Sequence, residues 1–149
     1  MRKFSRTTVL LLAVIALGVF LVTKFFNDPI QKLANGIAKA EGFGDDPGNL
    51  PTRNNNPGDL KAGDVGLGLD QGKTIYPTAL AGWAALYKQV VLMLTNTSRI
   101  YTRDMTITEL SQVWINGSRG NDAGNAPEWA QTVADYCQVT VDTKLEEIV

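Results

Sequence analysis

A chain with no histidine and a single cysteine, Cys137, has few side chains able to do chemistry. Ser-His-Asp and Cys-His nucleophilic centres and histidine-based zinc sites are excluded. A lone cysteine also forms no internal disulfide. Carboxylates, lysines, tyrosines, hydroxyls and the backbone remain, and among the carboxylates Glu41 is singled out by its spacing. Asp28-Pro29 is a helix start, an N-cap followed by the first-turn proline, and Gly42 suits the residue just past the end. The apolar stripe between them is Ile30, Leu33, Ala34 and Ile37. Glu41 lies eleven residues after Ile30, only about 20° from it around the helix axis. It therefore belongs to the buried face, in the last turn. Burial favours the neutral carboxyl, so such a group keeps its proton toward neutral pH, as a glycosidase general acid must. The same position also suits an anchor that accepts hydrogen bonds from the backbone or from Arg53, and a partner arginine would hold Glu41 ionised.

Asp59 is the candidate second carboxylate, a base or nucleophile opposite Glu41; after Pro57-Gly58 it is equally an ordinary turn residue. Asp45, Asp46, Asp64 and Asp70 read as solvated loop residues. No metal site is expected, because Asp45-Asp46-Pro47-Gly48-Asn49 lacks the alternating spacing of a calcium loop. Nor do the glycines near Lys73 make a phosphate loop: Leu67 stands where the first glycine would have to be. No cofactor is called for.

These residues need a frame to hold them. Residues 42–57 are dense in Gly, Pro, Asn and Asp and read as loops and turns. Asp59–Ala62 and Lys73–Tyr76 flank a Gly-rich connection and are predicted to pair as a small β-hairpin or tongue. Thr78 caps the next helix, whose stripe is Leu80, Trp83, Ala84, Tyr87, Val90, Val91 and Leu94. Thr106-Ile107-Thr108-Glu109 is a capping box, opening a helix through Leu110, Val113 and Trp114 that stops near Gly117. Asn125-Ala126-Pro127-Glu128 starts another, through Trp129, Val133, Tyr136 and Cys137, and Asp142 is expected to cap a short last one. Trp83 is predicted to be core. Trp114, just before a polar run, suits either the lip of a groove or packing, and Tyr76 is likewise open between the two.

The fold class expected is mainly α with a small β-hairpin, in one domain over residues 27–149. Residues 1–26 form a separate segment: Arg2, Lys3 and Arg6 precede 17 uncharged residues, Thr7 to Thr23, and Lys24 ends the run. This is the pattern of a signal anchor, one N-terminal transmembrane helix, or of a cleaved signal peptide. The apolar run continues past Ala16-Leu17-Gly18, which favours the anchor. The basic N-terminus predicts a domain facing the periplasm, the cell exterior or the outside of a virion membrane. Beyond Lys24 the chain carries ten basic and fifteen acidic residues, a poor match for nucleic acid, which is bound by neutralising phosphates.

The block Ala40-Glu41-Gly42-Phe43-Gly44, then Asn55-Asn56-Pro57-Gly58-Asp59-Leu60, a Gly-rich hairpin, and Tyr76-Pro77-Thr78-Ala79-Leu80-Ala81-Gly82-Trp83-Ala84-Ala85-Leu86 resembles the lysozyme-like superfamily. It is most similar to small phage and bacterial muramidases of goose-type-lysozyme or lytic-transglycosylase character. The likeness covers Ile37 to about Leu94 well and the last third loosely. It implies a lysozyme-like α+β fold, Glu41 as general acid/base, and Asn55, Asn56 and Tyr76 lining a sugar cleft, with peptidoglycan glycan strands as partner. Asp59 stands where the family pattern has Asn, and Gly42 follows Glu41 where lytic transglycosylases have Ser. Hydrolysis and anhydro-forming transglycosylation both remain open, as does a catalytically silent domain that binds glycan or builds an envelope or virion structure.

Overall fold

The computed structural model describes residues 28–61, 66–117, 119–120 and 124–148. The segment expected to cross a membrane lies outside them, and among the described residues no helix is long and apolar enough to do so. The chain forms α1 (Pro29–Ala40), a one-turn α2 (Leu50–Arg53), strands β1 (Gly68–Asp70) and β2 (Lys73–Ile75), α3 (Ala79–Leu94), α4 (Ile107–Asn116), α5 (Ala126–Cys137) and a final 3-10 turn, Leu145–Glu147. The architecture is thus mainly helical with a two-stranded antiparallel sheet.

Helix α1 begins as its sequence dictates. The Asp28 carboxylate accepts from the Ile30 N–H at 2.9 Å, and Pro29 occupies the first turn, where no N–H is needed. Leu33, Ala34 and Ile37 are fully buried, joined in one core by Leu86, Val90 and Met93 of α3, Ile107 and Leu110 of α4, and Val133 of α5. Val133 and Cys137 pack directly over Gly36. The helix ends at Glu41, its C-cap, and Gly42 turns left-handed at φ 75°.

The stretch read as loop from Gly42 to Pro57 contains α2, too short to show a periodicity. Its N-cap Asn49 accepts from the Thr52 N–H at 3.0 Å and donates to the Gly42 carbonyl at 2.6 Å, tying this turn to the end of α1. The hairpin closes closer to its tip than predicted. Gly68 faces Ile75 and Asp70 faces Lys73. The two turn residues, Gln71 (φ 50°) and Gly72 (φ 81°), are both left-handed, as a two-residue turn matched to strand twist requires. The expected partner also pairs with β2, antiparallel along its other edge, with Lys61 opposite Lys73: the Thr74 N–H donates to the Leu60 carbonyl at 2.9 Å, and its hydroxyl to that of Lys61 at 2.8 Å.

Thr78 caps α3 as predicted, its hydroxyl accepting from the Ala81 N–H at 3.2 Å. The buried face differs from the predicted stripe, being Gly82, Leu86, Val90 and Met93, while Leu80 is 80% exposed and Val91 38%. Helix α3 is apolar on nearly every side, so periodicity alone leaves its rotation undetermined. A backbone contact sets it: a Cβ at Gly82 would lie 1.8 Å from the Asn55 carbonyl oxygen. At the start of α4 both halves of the Thr106–Glu109 capping box are formed, at 2.9 and 3.1 Å, and Gly117 ends the helix at φ 80°. Helix α5 starts after Asn125 as expected, although the Asn125 side chain makes no capping bond. Asp142 is not the N-cap of the last turn. The last turn follows Lys144, whose N–H is taken by the Glu147 carboxylate at 3.0 Å.

The Gly82–Asn55 contact gives a direct test. Gly82→Ala forces a methyl into a backbone carbonyl that cannot rotate away. It is expected to destabilise the full-length protein by at least about 2 kcal/mol in denaturant unfolding, more than an ordinary surface glycine substitution.

Candidate active site

Glu41 stands at the meeting of three helices. Its backbone N–H closes α1 onto the Ile37 carbonyl at 2.9 Å, which fixes the direction of the side chain. One carboxyl oxygen, Oε1, accepts the indole N–H of Trp114 from α4 and that of Trp129 from α5, each at 2.8 Å. Trp129 is only 2% exposed, and a buried indole needs such an acceptor. Burial pushes the Glu41 carboxyl above its ordinary range. The Trp129 bond opposes this, the Asp59 charge adds to it, and the Trp114 bond and the Lys73 charge oppose it, with a net upward shift. When the group is neutral, the oxygen taking two N–H donors is the carbonyl oxygen, so Oε2 carries the proton.

Glu41 opens into a cleft of about 1060 Å³. Small residues of α3, Ala81, Ala84 and Ala85, make one side, with Lys88 and Gln89 beyond them; Gly58, Asp59, Lys61 and Lys73 make the tongue wall, and Trp114, Ile115 and Gly117 the end of α4. Tyr101, from the α3–α4 connection, also lines it. Its ring packs on Trp114 with centroids 5.6 Å apart, and Trp114 packs on Trp129 at 5.9 Å. Burial, and then the nearby Glu41 charge, raise the Tyr101 phenol.

Of the residues singled out in the sequence, Glu41, Asp59, Tyr76 and Trp114 line this cleft together. Trp114 does so as a hydrogen-bond donor to Glu41 as well as a ring on the wall. Tyr76 is only 4% exposed, so it packs beneath the surface more than it projects. Asn55 and Asn56 are not among the lining residues, and their chemistry explains why. Asn56 is fully buried; its amide donates to the Leu60 and Thr74 carbonyls at 2.9 and 3.0 Å and accepts from the Leu60 N–H at 2.9 Å. It joins the tongue to the 56–60 turn, and both of its N–H donors are spent there. Asn55, left-handed at φ 52°, donates to the Tyr76 carbonyl at 3.1 Å. Both amides tie the β element together.

Arg53 does not reach Glu41. It pairs with Asp70 at 2.8 Å and donates to the Gly48 carbonyl at 3.0 Å, so the arginine-held, ionised form of Glu41 has no basis here. Asp59 is held by Lys73, whose ammonium donates to its Oδ2 and, at 2.8 Å, to its backbone carbonyl. Trp83 packs against the core between Phe43 and Tyr87 and away from the cleft. Cys137 is buried and its thiol is pushed up to about 11 by burial, leaving it no nucleophilic role.

Three residues of the site escaped sequence reasoning. Trp129 was assigned to α5 as an apolar residue, though an indole in a core carries an N–H that must be satisfied. Lys73 reads as a strand residue once the phosphate loop is set aside, and Tyr101 sits in a connection with no periodicity. Comparison with known protein families, characterised proteins and solved structures finds no match to this chain.

The raised Glu41 carboxyl makes stability depend on pH with a definite sign. An unfolded glutamate titrates near 4.5, and the folded one higher. Between those two values the folded protein binds the extra proton, so stability falls as pH rises through that window and levels off above it. Glu41→Gln keeps an acceptor for the indoles and removes the titration. Its melting temperature is expected to gain on that of the parent between about pH 4 and about pH 8, measured by calorimetry at each pH; a constant difference would contradict the assignment.

Proposed function

We propose that this protein is a peptidoglycan-cleaving muramidase in which Glu41 is the general acid and then the base. The observation that carries this reading is the state of Glu41: a carboxyl raised by burial, oriented by two indole N–H bonds on Oε1, at the edge of a cleft large enough for sugar rings. The lysozyme-like α+β fold, with a helix ending at the acid and a β-tongue as one wall of the groove, is part of the same proposal. It is supported by the arrangement of α1, the β1–β2 tongue and α3 around the cleft. The N-terminal apolar segment would hold the domain at a membrane, facing the periplasm or cell exterior where peptidoglycan lies.

In this mechanism Oε2 of protonated Glu41 donates to the glycosidic oxygen, and the bond to the anomeric carbon breaks through an oxocarbenium-like state. The carboxylate left behind then accepts a proton from the incoming nucleophile. Trp114 and Tyr101 line the cleft beside Glu41 and would meet the sugars. With Asp59 held by Lys73, Glu41 is the one carboxylate lining the cleft outside an ion pair among the described residues. This favours capture by the sugar's own 6-hydroxyl, which needs no second base and leaves a 1,6-anhydro end.

Purified full-length protein in detergent is expected to release soluble muropeptides from peptidoglycan, with anhydro ends by mass analysis. Glu41→Gln should lower the rate roughly 10²–10⁴-fold while the protein stays folded. The parent's rate should fall on the alkaline side as Glu41 loses its proton. Reducing ends would shift the mechanism to water. Equal activity in the variant would remove Glu41 from the chemistry, and inactivity of both would favour a silent glycan-binding domain.

A further inference from the structure

The cleft gathers lysines that the rest of the domain outweighs with acids. Beyond Lys24 the chain carries ten basic and fifteen acidic residues, yet the described lining of the cleft has Lys61, Lys73 and Lys88 against Glu41 and Asp59. On the α3 side, Lys88 follows Ala84 by one helical turn. On the tongue side, two lysines are forced together by the backbone. Lys61 and Lys73 stand directly opposite each other in an antiparallel bridge, so their side chains leave the ribbon on one face with Cβ atoms roughly 5 Å apart. Like charges in that arrangement repel and cost stability.

The nearby acids relieve only one of the two. Asp59 takes the Lys73 ammonium, and Asp70, which faces Lys73 from β1, is taken by Arg53 at 2.8 Å. Lys61 serves the fold through its backbone, its carbonyl accepting the Thr74 hydroxyl at 2.8 Å. Its side chain makes no hydrogen bond or ion pair among the described residues, and the residue is exposed. A cation set against another cation, left without an acid and placed at a cleft suits an acid that arrives with the ligand.

We propose that Lys61 is a specificity residue of the cleft: it binds a carboxylate carried by the glycan, and so selects acidic, muramic-acid-containing strands over neutral, chitin-like ones. This rests on the reading of the cleft as a glycan groove. In peptidoglycan the carboxylate has two sources, the lactyl ether of a peptide-free muramic acid and the peptide stem attached through that group. A lysine fits either, being a point charge on a flexible stem that asks for no fixed approach angle. Because the ammonium is exposed, the contact is modest in strength and acts on the choice between ligands.

Three tetrasaccharides separate the sources: neutral chitotetraose, a peptide-free sugar alternating N-acetylglucosamine and N-acetylmuramic acid, and the same sugar carrying its peptide stems. Each is titrated into full-length Glu41→Gln protein in detergent micelles and followed by the Trp114 indole NMR resonance. The acidic sugars should bind more tightly than chitotetraose. Adding Lys61→Met should weaken at least one of them roughly three- to fivefold and leave chitotetraose as it was. A loss that includes the peptide-free sugar assigns the lactyl carboxylate; a loss confined to the stem-bearing sugar assigns the stem. Lys61→Arg should keep the preference, and added salt should narrow it. The proposal is overturned if chitotetraose weakens as much as the acidic sugars, if neither acidic sugar weakens, or if neither outbinds chitotetraose before Lys61 is changed. These are binding measurements, so a Lys61-dependent preference in a protein that releases no muropeptides would refute the muramidase reading and leave this one standing. Cleavage of peptidoglycan without that preference would do the reverse.

Discussion

One carboxylate oxygen receiving two indole N–H groups holds the working part of this molecule together. Glu41 Oε1 is the point at which the end of α1, the end of α4 and the beginning of α5 are joined by polar bonds instead of apolar packing. An acidic group inside an apolar region is costly to ionise. The two indoles lower that cost without supplying a full countercharge, as an arginine would. The carboxyl is oriented and its hold on a proton is strengthened, two properties that an ion pair would set against each other.

The β element is organised around a second polar centre, the buried Asn56 amide. It holds Leu60 on one side and Thr74 on the other, and so fixes the tongue wall against which the cleft opens. Asn55 passes the same constraint to α3, since its carbonyl lies where a side chain on Gly82 would have to be. The distance between the tongue and α3 is thereby set by backbone, before any core side chain is considered.

Much of the helical frame was legible from local chemistry. Asp28-Pro29, Thr78 and the Thr106–Glu109 box act through bonds within a few residues, so their sequence signatures are nearly complete descriptions of what they do. Glu41 was legible for the same reason, because helical spacing alone puts it on the buried stripe. The rotation of α3 was not, since a helix apolar on most sides is oriented by what it meets, here the Asn55 carbonyl. The partners of the asparagines were not legible either, because an amide's partners are set by tertiary contact: Asn56 finds Thr74 eighteen residues away. Lys73, Tyr101 and Trp129 reach the site across similar or larger separations, and no spacing rule connects them to Glu41.

Helix α3 separates two tasks on one cylinder. Leu86, Val90 and Met93 face the core and carry packing, whereas Ala81, Ala84 and Ala85 face the cleft. The width of the groove is therefore governed by side chains whose size hardly enters the stability of the domain. Drift at these three alanines can widen, narrow or reshape what the groove admits while the fold is left as it was. Ligand preference in this architecture is free to diversify along a line that folding does not oppose.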